Sequence, residues 1–150
     1  MRNRILGLTL LLLMGFSNIF ANTVVEVNQR VIKSFQKEFS HAQNVKWEDT
    51  KEFAKATFTL NGQVMFAYFA ENGDLLGVTR NIVSGQLPIN LLTDLKRNYA
   101  DFWITDLFEI AAGNETTYYV TMENADVVLV VNSAGTSGWE VYQKNKKTIE

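Results

Sequence analysis

Few side chains in this 150-residue chain could do acid–base or nucleophilic chemistry. His41 is the single histidine, and no sequence pattern near it suggests a partner that would orient it as the base of a catalytic triad. The chain has no cysteine, so thiol nucleophiles and thiolate metal sites are excluded. A solvated loop histidine is the expected role of His41, and no catalytic residue is predicted.

Acidic side chains give only weak indications of a site. Residues Glu71 to Asp74 have a calcium-like composition, but a calcium loop needs acids at alternating positions and a final bidentate glutamate. Asn, Gly and Asp are also the residues that turns select, so a turn is predicted here. Asp101 with Asp106, and Glu48 with Asp49, could do acid–base work. Because of these carboxylate pairs, a carboxylate-dependent enzyme is the alternative to a binding protein. No metal site and no cofactor are predicted.

Five aromatic and aliphatic residues form the candidate binding site: Phe66, Tyr68, Tyr119, Val128 and Val130. Exposed apolar patches mark interaction sites, and tyrosine suits interfaces because it joins an apolar ring to a polar hydroxyl. The site requires a sheet face that no helix covers. In the alternative, loops or a second subunit cover both faces and hide the same residues from water.

The chain reads as one motif written twice, and this repeat brings residues of both halves into one site. Apolar stripes at helical spacing recur sixty residues apart: Val31, Ile32, Phe35 and Phe39, then Leu91, Leu92, Leu95 and Tyr99. Strand residues recur at an offset of sixty-two: Phe58, Leu60, Phe66, Tyr68 and Gly73, then Val120, Met122, Val128, Val130 and Gly135.

A hairpin sets the two faces of the sheet in the first half. Asn61-Gly62 lies between two strand-like runs and favours a type I′ turn, because both residues tolerate a positive φ. The register that follows is Leu60 with Gln63, Phe58 with Met65, Ala56 with Ala67, and Ala54 with Phe69. This mostly apolar face is predicted to meet the helix, and the other face carries Phe66 and Tyr68.

Helices are predicted at 30–39 and 88–99, and Pro88 suits the first turn of the second because its missing N–H is unpaired there anyway. Strands are predicted at 44–49, 53–60, 63–70, 74–80, 103–110, 116–122, 126–132 and 139–143. Residues 111–115 are predicted to be a loop, and the charged tail after Lys144 is expected to fray. Each half is summarised as an α-β-β-β repeat.

The N-terminus is predicted to be a signal peptide, residues 1–21. Arg2 and Arg4 precede a short apolar run, and Ala21 is a suitable last residue before cleavage. The run is short for a membrane span, although an uncleaved anchor is the alternative. The remaining chain, 22–150, is predicted to be one domain with pseudo-repeats at about 30–87 and 88–147. Its 12 basic and 16 acidic residues give a net charge of −4, which disfavours binding to nucleic acid or anionic membranes.

Nearly all of the chain after residue 21 resembles the PepSY-like, β-lactamase-inhibitor-like proteins exported by Bacteroidetes, strongly in the first half, where the segment 35–77 carries most of the match, and weakly in the second. The matching features are a helix ending in Phe39, the strand Asn44-Val45-Lys46-Trp47, the turn Asn61-Gly62, Phe69 with Gly73, and Leu87-Pro88 before the second helix. The resemblance implies an α+β fold of two tandem repeats, with the helices packed on one face of an antiparallel sheet. The β-lactamase inhibitor protein is similar in architecture and grips its target with the open sheet face. No residue of this chain matches its inhibitory contacts.

These observations favour an exported, non-catalytic binding module in the periplasm or outside the cell, holding a protein or peptide partner. No nucleic acid partner is expected, and no membrane insertion after signal cleavage. Two alternatives belong to other classes. A carboxylate-dependent envelope enzyme would show buried acids in a cleft, and a structural or dimerising envelope protein would show itself in light scattering.

Overall fold

The computed structural model describes residues 26–147. The predicted signal peptide, residues 1–21, lies outside the described residues and stays a prediction. The elements are α1 (Gln29–Glu38), β1 (Gln43–Asp49), β2 (Ala54–Leu60), β3 (Gln63–Phe69), β4 (Leu75–Asn81), α2 (Ile89–Asn98), β5 (Trp103–Ala112), β6 (Glu115–Glu123), β7 (Val127–Ala134) and β8 (Glu140–Lys146), with a single 3₁₀ turn at Ser84–Gln86.

The eight strands form one antiparallel sheet in which spatial order follows chain order. The predicted α+β class, with helices on one face of an antiparallel sheet, is confirmed. All eight predicted strand segments are present, so each half is a helix followed by four strands. The α-β-β-β summary was therefore one strand short for each half, because the strand directly after each helix belongs to the same sheet as the other three.

The first hairpin has the predicted geometry. Asn61 and Gly62 have φ values of 52° and 79°, as a type I′ turn requires. All four predicted pairs between β2 and β3 are confirmed, including Phe58 opposite Met65 and Ala54 opposite Phe69. The turn thus fixes which side chains face the helix.

Both helices are short, so packing rather than propensity must stabilise them. Each has ten residues and buries two members of its predicted stripe: Val31 and Phe35 in α1, Leu91 and Leu95 in α2. The other four members are partly buried: Ile32, Phe39, Leu92 and Tyr99. The helices begin differently. The side chain of Asn28 caps α1 by accepting a 2.9 Å hydrogen bond from the Arg30 N–H. The segment before α2 instead ends in Pro88, with no side-chain cap.

One hydrophobic core lies under each helix. The first core contains Phe35, Phe58 and Phe69, all of which were predicted to be buried. The second core joins α2 to β5, β6 and β7, and its buried members are Ile82, Leu87, Leu95, Leu107, Val120, Met122, Leu129 and Val131.

The pairing of β4 with β5 joins the two halves, so the helix-bearing face of the sheet is continuous from one half to the other. Arg80 of β4 lies directly opposite Glu109 of β5, and their side chains form an ion pair. The Arg80 guanidinium also donates a 2.8 Å hydrogen bond to the side-chain oxygen of Gln63. The hydrogen bond from Arg80 to Glu109 raises the pKa of the arginine, with burial acting in the opposite direction. This polar network lies between the two cores.

Two predictions in the second half were wrong in detail. Residues 111–115 are not a loop, since β5 runs to Ala112, β6 starts at Glu115, and only Gly113 and Asn114 turn the chain. Residues 145–147 are not frayed, because β8 continues to Lys146 and the Lys147 N–H donates to the carbonyl of Asp126 at 2.8 Å. The last three residues, 148–150, lie outside the described residues. Pairing with β7 holds this charged segment in the sheet.

Candidate functional site

The five predicted binding residues all lie on the sheet face opposite the helices, which we call the open face. Alternation places them there, because Ala67, Phe69, Val120, Leu129 and Val131, their neighbours along the strands, are buried under the helices. Each of the five is partly exposed. Phe66 and Tyr68 lie on β3, Tyr119 on β6, and Val128 and Val130 on β7.

The structure does not bring the five residues into one contiguous group. The sheet is continuous, but β4 and β5 lie between β3 and β6. Adjacent strands are about 4.8 Å apart, so three steps put roughly 14 Å between Phe66 and Tyr119 across the sheet. Thr79 pairs with Phe66 and with Ile110, and Phe108 pairs with Tyr119. The middle of the open face therefore belongs to β4 and β5.

A depression lies at the centre of the open face, where the two halves join. Its volume is about 390 Å³, and its lining consists of Tyr68, Leu76, Gly77, Thr79, Phe108 and Ile110. Gly77 lies directly opposite Tyr68 and contributes no side chain. A Cβ atom built on Gly77 would lie 3.3 Å from the carbonyl oxygen of Ala111 and 3.6 Å from the Cβ of Ala112. The glycine therefore keeps the floor of the depression open.

Sequence reasoning missed Leu76, Phe108 and Ile110, although the repeat contained a signal for two of them. Leu107 stands sixty residues after Trp47, and a large aromatic residue in a strand is more often buried than exposed. If Leu107 points inward, Phe108 and Ile110 must point outward by alternation. Leu76 could not be found in this way, because β4 slips its register between the residues opposite Tyr68 and Phe69.

Aromatic contacts extend the open face on both sides of the depression. Phe108 stacks on Tyr119 with ring centroids 5.1 Å apart and an interplanar angle of 7°. Tyr119 in turn meets the edge of Tyr142 from β8 at 5.6 Å. On the other side, Phe53 packs against Tyr68 at 5.5 Å. Such pairs favour these ring orientations, and each adds about 0.5–1.5 kcal/mol to the energy of burial.

Charged groups lie at two margins of the open face. At the first margin, the Lys55 ammonium lies 5.3 Å from the centre of the Phe66 ring and 3.2 Å from a carboxylate oxygen of Glu48. At the second, Glu123 accepts hydrogen bonds from Lys147 at 3.0 Å and from the Trp103 indole at 2.9 Å. These two hydrogen bonds, that from Lys147 first, lower the pKa of Glu123.

The residues considered for chemistry are dispersed. His41 is exposed in the turn after α1. Asp74 forms the predicted turn, since its N–H and one carboxylate oxygen bond the Asn72 side chain at 3.0 and 2.7 Å. Asp106 accepts a 3.0 Å hydrogen bond from the Leu107 N–H. Within residues 26–147, no three His, Asp or Glu side chains are grouped as a metal site would need.

Solved structures from Bacteroides share this architecture. A BLIP-like protein of Bacteroides fragilis superposes with a TM-score of 0.68 at 20% identity, over 84% of this chain and 90% of its own. A DUF2874 family protein of Bacteroides ovatus gives 0.70 at 13% identity, over 81% and 88%. A candidate periplasmic protein of Bacteroides eggerthii gives 0.69 at 11% identity, over 81% and 89%. No protein-family model and no curated protein matches the sequence.

These likenesses show a shared fold. At identities of 11–20% they do not carry an activity from one chain to another. The shared fold is the one that the sequence resemblance implied, with helices on one face of an antiparallel sheet. Neither helix of the described chain is long and apolar enough to cross a membrane.

Proposed function

We propose that this protein is an exported, non-catalytic binding module that holds a protein or peptide partner on the open face of its sheet. The observation that carries the proposal is the apolar depression at the junction of the two halves, flanked by stacked aromatic rings. A volume of about 390 Å³ falls in the lower part of the range of about 300–1,000 Å³ that ligand sites occupy. It would receive one or two apolar side chains of a partner.

The contacts on the opposite face of the sheet, behind the depression, favour a site that is formed before a partner binds. Thr79 and Ile110 face the depression, and the next pair along the same strands, Arg80 and Glu109, is locked by an ion pair on the helix side. The junction between the halves is thus held by the backbone pairing of β4 with β5 and by a side-chain network on the helix side of the sheet. A rigid surface loses little conformational entropy on binding, so more of the contact energy appears as affinity.

The test compares partner capture by the chain from Asn22 with capture by the double variant Phe66→Ser/Tyr68→Ser. Partners are captured from envelope extract, identified by mass spectrometry and then measured as purified components. We expect the affinity to fall by about 2 kcal/mol, close to thirtyfold, because aromatic residues carry a large share of interface energy. Thermal stability should hardly change, since both rings are partly exposed.

A control variant separates this site from general surface apolarity. Val83 and Ile89 are 67% and 76% exposed and lie outside the open face, so Val83→Ser/Ile89→Ser should leave capture unchanged. If Phe66→Ser/Tyr68→Ser unfolds the protein, the rings are part of the core and the open face is not a binding surface. If the variant stays folded and captures normally, binding lies elsewhere, for which the surroundings of Trp103 and Trp139 are the next candidates.

The predicted alternatives give different results in the same preparation. A structural or dimerising protein would scatter light as a concentration-dependent dimer without any partner. A carboxylate enzyme would need paired acids in a cleft, but Asp106 is engaged with its neighbour's backbone and Glu48 with Lys55. The geometry therefore favours binding over catalysis.

A further inference from the structure

The outer edge of β1 is unpaired within residues 26–147, and an apolar groove lies beside it. β1 ends the sheet and pairs only with β2. The groove encloses about 330 Å³ between α1 and β1, and its walls include Ile32, Phe39, Val45 and Trp47. Peptide-binding domains that add a strand to a sheet combine a free edge with pockets for alternate side chains, as this edge does.

The inward hydrogen bonds of this segment identify the backbone groups that point outward. The Thr50 N–H donates toward β2, to the carbonyl of Phe53 at 3.0 Å. Because successive N–H groups alternate between the two sides of a strand, Asp49 and Trp47 direct theirs away from β2. An added antiparallel strand would bond to these two residues.

The second half shows what lies at the equivalent edge. β5 is the counterpart of β1, because Leu107 stands sixty residues after Trp47 and both strands interrupt their ladders just before that position. In the second half β4 covers this edge. The Ile82 N–H beyond β4 donates to the carbonyl of Leu107 at 2.9 Å, and the Ile82 side chain packs into the second core.

The burial of the two counterparts reflects this difference. Leu107, which β4 and Ile82 cover, is only 4% exposed, whereas Trp47 is half-buried and its neighbour Val45 is 37% exposed. Both halves have the same helix over the same strands, so the covering strand is the feature that distinguishes them. The first half has the receiving edge and groove without the strand.

We propose that β1 accepts an extended segment of a partner polypeptide as an additional antiparallel strand. The segment carries an aliphatic side chain at the place that Ile82 occupies in the second half, and this side chain enters the groove between α1 and Trp47. The site is independent of the open face, since it uses backbone groups at the sheet edge and the helix-bearing side.

Phage-displayed random dodecapeptides selected on the chain from Asn22 provide the probe. Two matched pairs of variants test the bound clones. Asp49→Pro removes both the carboxylate charge and the outward backbone N–H. Asp49→Ala removes the same charge but retains the N–H. Ile32→Ser alters the groove, whereas Leu92→Ser alters its counterpart beside the covered strand.

We expect clones with a shared aliphatic position whose binding falls about tenfold or more on Asp49→Pro and on Ile32→Ser. The same clones should keep their affinity for Asp49→Ala, for Leu92→Ser and for the Phe66→Ser/Tyr68→Ser variant. Circular dichroism checks that each variant is folded, and Ile32→Ser decides the question if Asp49→Pro does not fold.

Three outcomes would overturn the proposal. The first is a selection that yields no clones, or only clones that depend on Phe66 and Tyr68, which would support the open face alone. A dimer of the chain that Asp49→Pro dissociates would make a second copy the occupant. Clones that bind only a chain starting at Glu26 would make residues 22–25 the occupant.

Discussion

Phe58 is the residue whose truncation tests the fold most directly. Its side chain is 1% exposed in the first core. The ring meets Phe35 edge-on with centroids 5.0 Å apart, and it meets Phe39 at 4.7 Å. β2 is flanked by β1 and β3, so the backbone at Phe58 cannot move far to refill lost volume. Phe58→Ala should therefore leave a cavity rather than a collapsed site.

The expected cost follows from these contacts. Truncation of a buried phenylalanine to alanine costs about 3–5 kcal/mol, through lost transfer energy and the cavity that remains. Two aromatic contacts, each contributing about 0.5–1.5 kcal/mol, favour the upper half of that range. A domain of this kind is stable by about 5–15 kcal/mol, so the variant should stay folded but with a large part of its stability lost.

Urea unfolding of the chain from Asn22, followed by circular dichroism, measures this loss. The slope m should be unchanged and the midpoint should fall. Thr57→Ala is the matched control, because Thr57 is the adjacent residue on the open face and should change the stability by less than about 0.5 kcal/mol. A loss below about 1 kcal/mol for Phe58→Ala would place the ring outside the core and refute the hairpin register.

Three other predictions use separate parts of the chain. Gly73→Ala should destabilise the protein by about 1–3 kcal/mol in urea unfolding, since φ is +94° and the new Cβ would lie 3.0 Å from the Arg30 carbonyl oxygen. Gly135 is its counterpart in the repeat and has a φ of +60° with open space around it, so Gly135→Ala should cost less. Equal costs for the two variants would show that the close approach to Arg30 does not contribute. The pKa of Glu123, read by NMR titration, should lie below that of an ordinary glutamate and should rise in Lys147→Ala. Because the pKa is lower in the folded than in the unfolded chain, the contact stabilises the fold above the unfolded-state pKa, and this stabilisation is lost as the pH falls through the folded-state pKa. An unchanged Glu123 pKa in the variant would exclude the Lys147 hydrogen bond as the cause of the lowering. Intact-mass measurement of exported protein should show a chain that begins at Asn22, and a mass that retains residues 1–21 would refute signal cleavage.

The hairpin and the helices could be predicted because local chemistry determines them. Asn61-Gly62 specifies its own turn type, and that turn alone fixes the pairing of β2 with β3. The stripes of α1 and α2 likewise follow from spacing. The turn at Gly113 and Asn114 was predicted as a longer loop, because flanking alanines and a glutamate gave no strand signal.

The centre of the open face could not be predicted, since it depends on how the two halves join. The repeat identified equivalent residues in each half but contained no information about which strands meet. The pairing of Val78 with Ala111 and of Thr79 with Ile110 is long-range, and it separates Phe66 from Tyr119. The depression beside Gly77 appears only after that pairing is known.

The strand order of this sheet has a consequence for how such a protein can grow. Because each strand pairs only with its chain neighbours, a further helix and four strands could be added after β8 without rerouting any existing connection. Tandem duplication of one unit would therefore leave every existing strand pairing unchanged. The exposed β8 carries Lys144 and Lys146, and charged edges of this kind oppose further pairing. At β8 it is therefore charge, rather than topology, that disfavours the pairing of another strand.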